Sequence, residues 1–359
     1  MNGTEYLTAI MQKAEKVNAS DIHIVAGVPP AFRIDGEIIL ADAPPITRPQ
    51  AAEMTYGLLN DIQRQQLEHD LELSFSRQNG QAGRYRVTVY YHGGNPEMSL
   101  RRCNTKIPTR EELGLPEVVE QLARLRTGLV LVTGPTGTGK TTTLNFIIDL
   151  INSERRCKIV TIEDPIEFVH RPKKAIIVQQ EVRTDTRSFA RALVHVLRQD
   201  PDVICVGEMR DLETIATALT AAETGHLVIA TLHTASAMQT VERIVDVFPP
   251  VQQNQIITQL ANCLQGVIAQ LLLPRADKKG RVLATEILLA NTAMRAIIRD
   301  NNLPQLTTVM QTGRRAGMHT MDECLCELYE RAIIGYDTAV GHARDPHMLK
   351  RPQRTGNVQ

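Results

Sequence analysis

Two rhythms of apolar and polar residues divide the chain. Over residues 1–104, "SDIHIV", "AFRIDGEIIL", "LELSFSR" and "GRYRVTVYY" alternate as half-buried strands do, with Pro29-Pro30 and Asp35-Gly36 as turns. "EMSLRRC" closes this set, while "MNGTEYLTAIMQKAEKV" and "AAEMTYGLLNDIQRQQLEHD" carry helical periodicity. The pattern predicts a small α+β domain with an antiparallel sheet. "NTKIPTREELGLP" is polar and bracketed by prolines, which places an inter-domain joint at 105–115.

After Leu115 the alternation stops. "GLVLVT", "KIVTIE", "AIIVQ", "VICVG" and "HLVIATLH" are continuous apolar runs separated by helical stretches. Strands without a polar face need cover on both sides, so residues 116–345 are expected to form an α/β domain with a mainly parallel sheet. A polar tail, 346–359, follows.

Composition narrows the function classes. A hydrophobic fraction of 43% over 359 residues supports packed cores, and 40 basic residues balance 40 acidic ones, so no global field favours nucleic acid or anionic membrane. Aromatic residues make up 4% with no Trp, which leaves little for stacking bases and argues against a nucleic-acid translocase. Six cysteines show no CxxC spacing; Cys157 and Cys205 lie in apolar runs and read as buried reduced thiols. The start of the chain reads as an amphipathic helix rather than a signal peptide, and no apolar run nears the ~18 residues of a membrane span. A cytosolic protein, or one docked on a partner, is expected.

The strongest chemical signal is "GLVLVTGPTGTGKTTTLNFIIDLI". Gly134, Gly139, Lys140 and Thr141 fit G-x-x-x-x-G-K-[ST] between an apolar strand and a helix. Glycines let the loop curl so that its N–H groups face phosphates, and the following helix N-terminus adds partial positive charge. Gly134, Pro135, Thr136, Gly137, Thr138, Gly139, Lys140, Thr141 and Thr142 are therefore candidates for ATP binding, with Lys140 on the β and γ phosphates and the Thr141 hydroxyl on Mg2+.

Hydrolysis needs more than binding. In parallel sheets ligands sit at the carboxyl ends of strands, and three such ends are polar. "KIVTIEDPIEF" ends in Glu163 and Asp164, "VICVGEMRD" in Glu208 with Arg210 beyond it, and "HLVIATLHT" in His233, with His226 at its start. Gly207 occupies the place where nucleotide hydrolases usually carry a magnesium-binding aspartate. Glu208, one step later, is where they often carry the carboxylate that polarises water. Glu163 or Asp164 could then serve magnesium, and His233 the γ-phosphate. Blander roles exist for each: Glu208 could cap the helix "RDLETIATALTAAE", Asp164 could start a turn before Pro165, and His226 could be a hydrogen-bonded core histidine.

Together these blocks closely resemble the type IV pilus retraction ATPases, the PilT family of the secretion ATPase superfamily. "GPTGTGKTTT" resembles the family's phosphate loop, "TIEDPIEF" its acidic box, "RQDPDVICVGEMRDLETI" its second nucleotide motif and "ALTAAETGHLVIATLHT" its histidine box. The resemblance implies a RecA-like core behind a PAS-like N-terminal domain. It also implies a catalytic Glu208, acidic-box residues Glu163 and Asp164, and histidine-box residues His226 and His233.

In the family the N-terminal domain supplies arginines to a neighbour's nucleotide. Arg84 and Arg86, on one strand face by period, are matched to that role, and Arg101 as a further candidate; a solvated strand face is the alternative. "YYHGGN" and "LRRCNT" depart from the usual pattern, and "LRRCNTKIPTREEL" is similar to the accessory PilU type. "AMRAIIRDNN" resembles the retraction motif in part and reads as a short amphipathic helix with Arg295 and Arg299 on one face. The long N-terminal region and four-cysteine insert usual in extension and secretion ATPases are lacking, which favours the retraction branch.

What the resemblance implies is a homohexameric Mg-ATP-hydrolysing motor for pilus retraction. It would be cytoplasmic, peripheral at the inner membrane, acting on the membrane platform protein and possibly beside a paralogous pilus ATPase, without nucleic acid and without membrane insertion. The other reading is a nucleotide-binding scaffold.

Overall fold

The computed structural model describes residues 2–34, 36–78, 83–103, 106–277 and 280–349. Asp35 of the Asp35-Gly36 turn, residue 104 and residue 105 at the start of the joint, and residues 350–359 of the tail lie outside the described residues. The chain divides into two compact units, with one boundary between Lys106 and Ile107. Pro165–Val169, inside the acidic box, belongs to the first unit.

The first unit is built on six strands: β1 (Asp21–Ile24), β2 (Ala31–Ile34), β3 (Glu37–Leu40), β4 (Glu72–Gln78), β5 (Arg84–His92) and β6 (Asn95–Arg102). They form one antiparallel sheet in the order β3–β2–β1–β6–β5–β4. Alternation along β5 sends Tyr85, Val87 and Val89 inward, where they pack with Leu7 and Met11 of the helix Gly3–Lys16. The stretch expected as one helix after residue 50 is two, Arg48–Tyr56 and Asp61–Asp70. Thr47 and Asn60 each open a capping box, with Gln50 and Gln63 as reciprocal partners. A second cap and Gly57 at the first helix's end divide what periodicity alone joins.

The second unit has seven strands: β7 (Gly128–Thr133), β8 (Lys158–Glu163), β9 (Ile176–Glu181), β10 (Val203–Val206), β11 (Leu227–Leu232), β12 (Leu264–Pro274) and β13 (Arg281–Leu289). Their order is β13–β12–β7–β11–β10–β8–β9, parallel except for the β12–β13 pair. Both faces are covered: Leu129, Leu131, Val160 and Ile162 point into one apolar layer, Val130, Val132 and Ile159 into the other. That double cover is why these strands read as unbroken apolar runs. The antiparallel β12–β13 hairpin is not among the strands expected. It follows the helix Pro250–Cys263 without an intervening turn, and so gives no punctuation to read.

Two polar side chains inside this unit do structural work. Glu286 on β13 is fully buried. Its Oε1 accepts from the Ala237 N–H at 2.8 Å, and its Oε2 accepts from the Met321 N–H at 3.3 Å and pairs with Arg344 at 3.3 Å. Those amides open the helices Ala237–Asp246 and Met321–Glu330, so one carboxylate satisfies two positive helix ends. Arg295, expected on one helix face with Arg299, donates from Nη1 to the Ala261 carbonyl at 2.5 Å and to that of Asn262, at the end of the helix Pro250–Cys263. None of the six cysteines is in a disulfide; burial pushes Cys263 up to about 12 and Cys205 higher still. Among the described residues no helix is long and apolar enough to cross a membrane.

Removing the Glu286 carboxylate strands two buried amides. Glu286→Ala is expected to lower the stability of the second unit by about 3 kcal/mol. Chemical denaturation followed by circular dichroism measures it.

Candidate active site

The phosphate loop leaves β7 at Gly134. There φ is +143°, and a β-carbon would stand 2.4 Å from the Gln270 carbonyl oxygen of β12 and 2.7 Å from Thr138 Oγ1, so only glycine fits. Gly137 and Gly139 also have positive φ, +82° and +89°. Pro135, Thr136 and Gly137 form the exposed crown of the loop, while Thr138 is buried and its hydroxyl donates to the Pro135 carbonyl at 2.8 Å. Gly139 starts the helix Lys140–Glu154, whose first turn receives no side-chain cap. Its orphan amides and Lys140 suit an anion. The Lys140 ammonium is buried against the Gly134 and Pro135 carbonyls at 2.7 and 3.0 Å; burial pulls its pKa down, and the Glu208 charge opposes that. Thr141 and Thr142 are half-buried at the head of the helix.

Because β7, β11, β10 and β8 are parallel neighbours, the residues after each arrive at one edge. His233 follows β11, with Nδ1 3.4 Å from Lys140 Nζ and 3.5 Å from Thr136 Oγ1. Its Nε2 lies 3.0 Å from Glu208 Oε1, and Arg210 Nε reaches the same oxygen at 2.6 Å. Burial alone would raise the Glu208 carboxyl; Arg210 and His233 outweigh it and hold the group below the usual carboxylate range. Glu208 does not cap the next helix. Asp211 does, accepting from the Thr214 N–H and hydroxyl at 2.8 Å each.

Gly207 itself lies close under β8. Its N–H donates to the Ile162 carbonyl at 2.8 Å, and a β-carbon would stand 3.1 Å from that oxygen and 3.4 Å from Glu163 Cα. An aspartate at that place would crowd the backbone that carries the acidic box.

Glu163 is buried at the end of β8. Its Oε1 accepts from Thr161 Oγ1 at 2.6 Å and from Gln179 Nε2 at 2.9 Å. Asp164 is exposed and raises the pKa of Arg210 through its charge, after the larger effect of Glu208. Among the described residues no cluster of three or more acids, histidines or cysteines could cage a metal. A threonine hydroxyl, one carboxylate and phosphate oxygens fit magnesium, which retains much of its water.

His226 does not join this group in its own chain. It precedes β11, at the opposite edge of the sheet, where its Nδ1 lies 3.0 Å from the Ala221 carbonyl oxygen. A cavity of about 810 Å³ opens there, with Arg126, Arg155, Arg156 and Lys174 among its lining residues, well away from the phosphate loop.

Of the three arginines matched to a neighbour's nucleotide, all in the first unit, Arg84 donates from Nε to the Ile166 carbonyl at 3.1 Å and also to Ser76. Arg86 and Arg101 stand opposite each other on β5 and β6. Arg101 Nε donates to Asp21 Oδ1 at 2.8 Å. Burial pushes the Glu167 carboxyl up, and the charges of Arg86 and Arg101 oppose that shift.

Sequence reasoning did not single out Thr161 or Gln179, which hold Glu163, nor the pairing of Arg210 with Glu208. Gln179 lies opposite Thr161 across the β8–β9 register, a relation no local pattern reveals.

This loop, with acids and a histidine at parallel strand ends, defines a nucleotide-binding α/β ATPase fold. The chain belongs to the Type II/IV secretion system protein family, whose model matches residues 3–334. It is 44% identical over 340 residues to the type IV pilus retraction ATPase PilT of Pseudomonas aeruginosa, covering 95% of this chain and 98% of that one. The type IV pilus ATPase PilU of the same organism is 39% identical over 338 residues, covering 94% of this chain and 88% of PilU. The crystal structure of the pilus retraction motor PilT with bound ADP superposes with a TM-score of 0.90 at 46% identity, covering 96% of this chain and 98% of that one.

Two outcomes follow from the packing. Gly207→Asp and Gly207→Ala are both expected to lower stability by about 1–2 kcal/mol in thermal unfolding, because backbone must shift for any β-carbon. His170, buried beside the helix Lys140–Glu154, sits with Nε2 2.7 Å from Asn145 Oδ1, and burial lowers its pKa to about 4. Depressed below the ordinary 6.5, it contributes stability that is complete above pH 6.5 and lost as pH falls towards 4, by about 3 kcal/mol in all. Unfolding free energies between pH 4 and 7 should flatten in His170→Gln relative to the parent.

Proposed function

We propose that the chain hydrolyses Mg-ATP as a subunit of a homohexameric ring that retracts type IV pili. The observation that carries this reading is the unbroken contact from Lys140 through His233 to Glu208. A cation suited to the β and γ phosphates is thereby tied to the carboxylate best placed to take a proton from water.

In this reading the loop amides, Lys140 and the uncapped helix end bind the phosphates. Thr141 and Glu163 would hold magnesium, which neutralises phosphate charge when bound. Glu208, kept ionised by Arg210 and His233, orients the attacking water and accepts its proton. His233 touches both the phosphate-binding side and Glu208, and so can report whether a γ-phosphate is present. Arg84, Arg86 and Arg101 would reach a neighbour's nucleotide, exchanging their present partners for phosphate oxygens. Hydrolysis would release that closure as a rotation between the two domains about the 105–115 joint, turning the membrane platform protein from the cytoplasmic side. The names and functions of the PilT relatives support the pilus assignment.

A second reading is an accessory role beside another pilus ATPase, favoured by the 39% identity to PilU. Steady-state ATP hydrolysis across protein concentrations tests both. Turnover per chain is expected to rise with concentration, and Glu208→Gln to lose about 10²-fold or more. A parent protein that binds ATP but turns over no faster than Glu208→Gln would give the accessory reading the lead.

A further inference from the structure

The acidic box makes an excursion. The chain leaves the second unit after Asp164, contributes Pro165–Val169 to the first unit, and returns at His170. One side chain binds both ends of that excursion. Gln179, on β9, donates from Nε2 to Glu163 Oε1 at 2.9 Å, and its Oε1 accepts from the His170 N–H at 2.9 Å. Both bonds are made by one rigid, planar amide, so Glu163 and His170 cannot separate without breaking at least one of them.

The chain of bonds continues to the phosphate loop. His170 Nε2 meets Asn145 Oδ1 at 2.7 Å, and Asn145 Nδ2 donates to the Thr141 carbonyl at 2.8 Å. With its amide nitrogen committed to Thr141, Asn145 presents its oxygen to His170, so the imidazole carries its proton on Nε2. Thr141, Asn145, His170, Gln179 and Glu163 therefore form one path inside the second unit. Both residues placed in the magnesium shell lie at its ends, Thr141 through its carbonyl and Glu163 through its carboxylate, and His170 and Asn145 are buried within it.

We propose that Gln179 is a positioning residue. It aims the Glu163 carboxylate at the magnesium of bound nucleotide and makes the 164–170 excursion respond to what the phosphate loop holds. This rests on the reading that Glu163 belongs to the magnesium shell. Carboxylates that meet a metal are oriented by neighbouring donors, and removing such a donor typically weakens metal affinity 10- to 100-fold. Gln179 touches neither phosphate nor magnesium in this scheme; its effect passes through Glu163 and His170.

The test uses the full chain, with a fluorescent ADP analogue titrated in magnesium and in EDTA, and backbone hydrogen exchange of residues 164–170. In the parent, magnesium should tighten nucleotide binding, and Mg-nucleotide should slow exchange across 164–170. Gln179→Ala should leave affinity in EDTA unchanged, reduce the magnesium-dependent tightening about 10-fold or more, and abolish the slowing of exchange. Gln179→Met, of similar length but without either polar group, should behave alike and guards against collapse of the site in the alanine variant. A purely structural role would instead shift the nucleotide-free melting temperature and leave the magnesium response intact. Retention of both the tightening and the exchange response in either variant overturns the proposal. Glu163→Gln separates the two levels. If it keeps the full magnesium response, the magnesium-shell assignment fails, and with it the aiming role of Gln179. If it loses the response while the Gln179 variants keep theirs, only the positioning role fails.

Discussion

Everything at the working edge of the second unit depends on how closely two backbones approach at Gly134. With a β-carbon's place 2.4 Å from the Gln270 carbonyl, the chain can leave β7 only by turning at once over β12. That turn sets the helix Lys140–Glu154 with its uncapped amides over the strand ends. The parallel order β12–β7–β11–β10–β8 then brings His233, Glu208 and Glu163 to the same edge without further instruction, each strand displaced from the next by about 4.8 Å. A short constellation of polar groups thus follows from a steric rule at a glycine and from the regularity of a parallel sheet.

This is also why the grouping of the candidate site's residues was legible in the sequence. Continuous apolar runs announce parallel strands, and parallel strands put their carboxyl ends together, so Glu163, Glu208 and His233 could be grouped before any coordinates. His226, also a candidate from the resemblance, starts β11 rather than ending it and stands apart from them in its own chain. What stayed hidden depends on lateral neighbours. Gln179 faces Thr161 only because β9 pairs with β8 in that register. Residues Pro165–Val169 join the first unit through tertiary packing that periodicity does not encode. Asp211 competes successfully for the helix cap that Glu208 could have taken, because its side chain stands at the N-cap position and reaches the Thr214 amide. The β12–β13 hairpin escaped notice because its first strand begins where a helix stops.

Three acids in this unit show how environment assigns work to one chemical group. Glu286 is satisfied largely by the backbone and knits two helices to a strand. Glu163 accepts from a threonine hydroxyl and a glutamine amide, which orient it. Glu208 is held by an arginine and a histidine, which keep it charged in a half-buried position. A low-dielectric setting makes an unpartnered carboxylate expensive, so each of these acids has partners, and the chemistry of those partners separates scaffold from site.

The cysteines carry a consequence of a different kind. Disulfide exchange, alkylation and oxidation all proceed through the thiolate, and burial leaves Cys205 and Cys263 almost none of it at neutral pH. The sheet centre and the helix end that hold them are therefore insulated from redox swings in the surrounding medium. Cys157, Cys324 and Cys326 are only half-buried, so a maleimide dye would reach those three thiols well before Cys205 and Cys263.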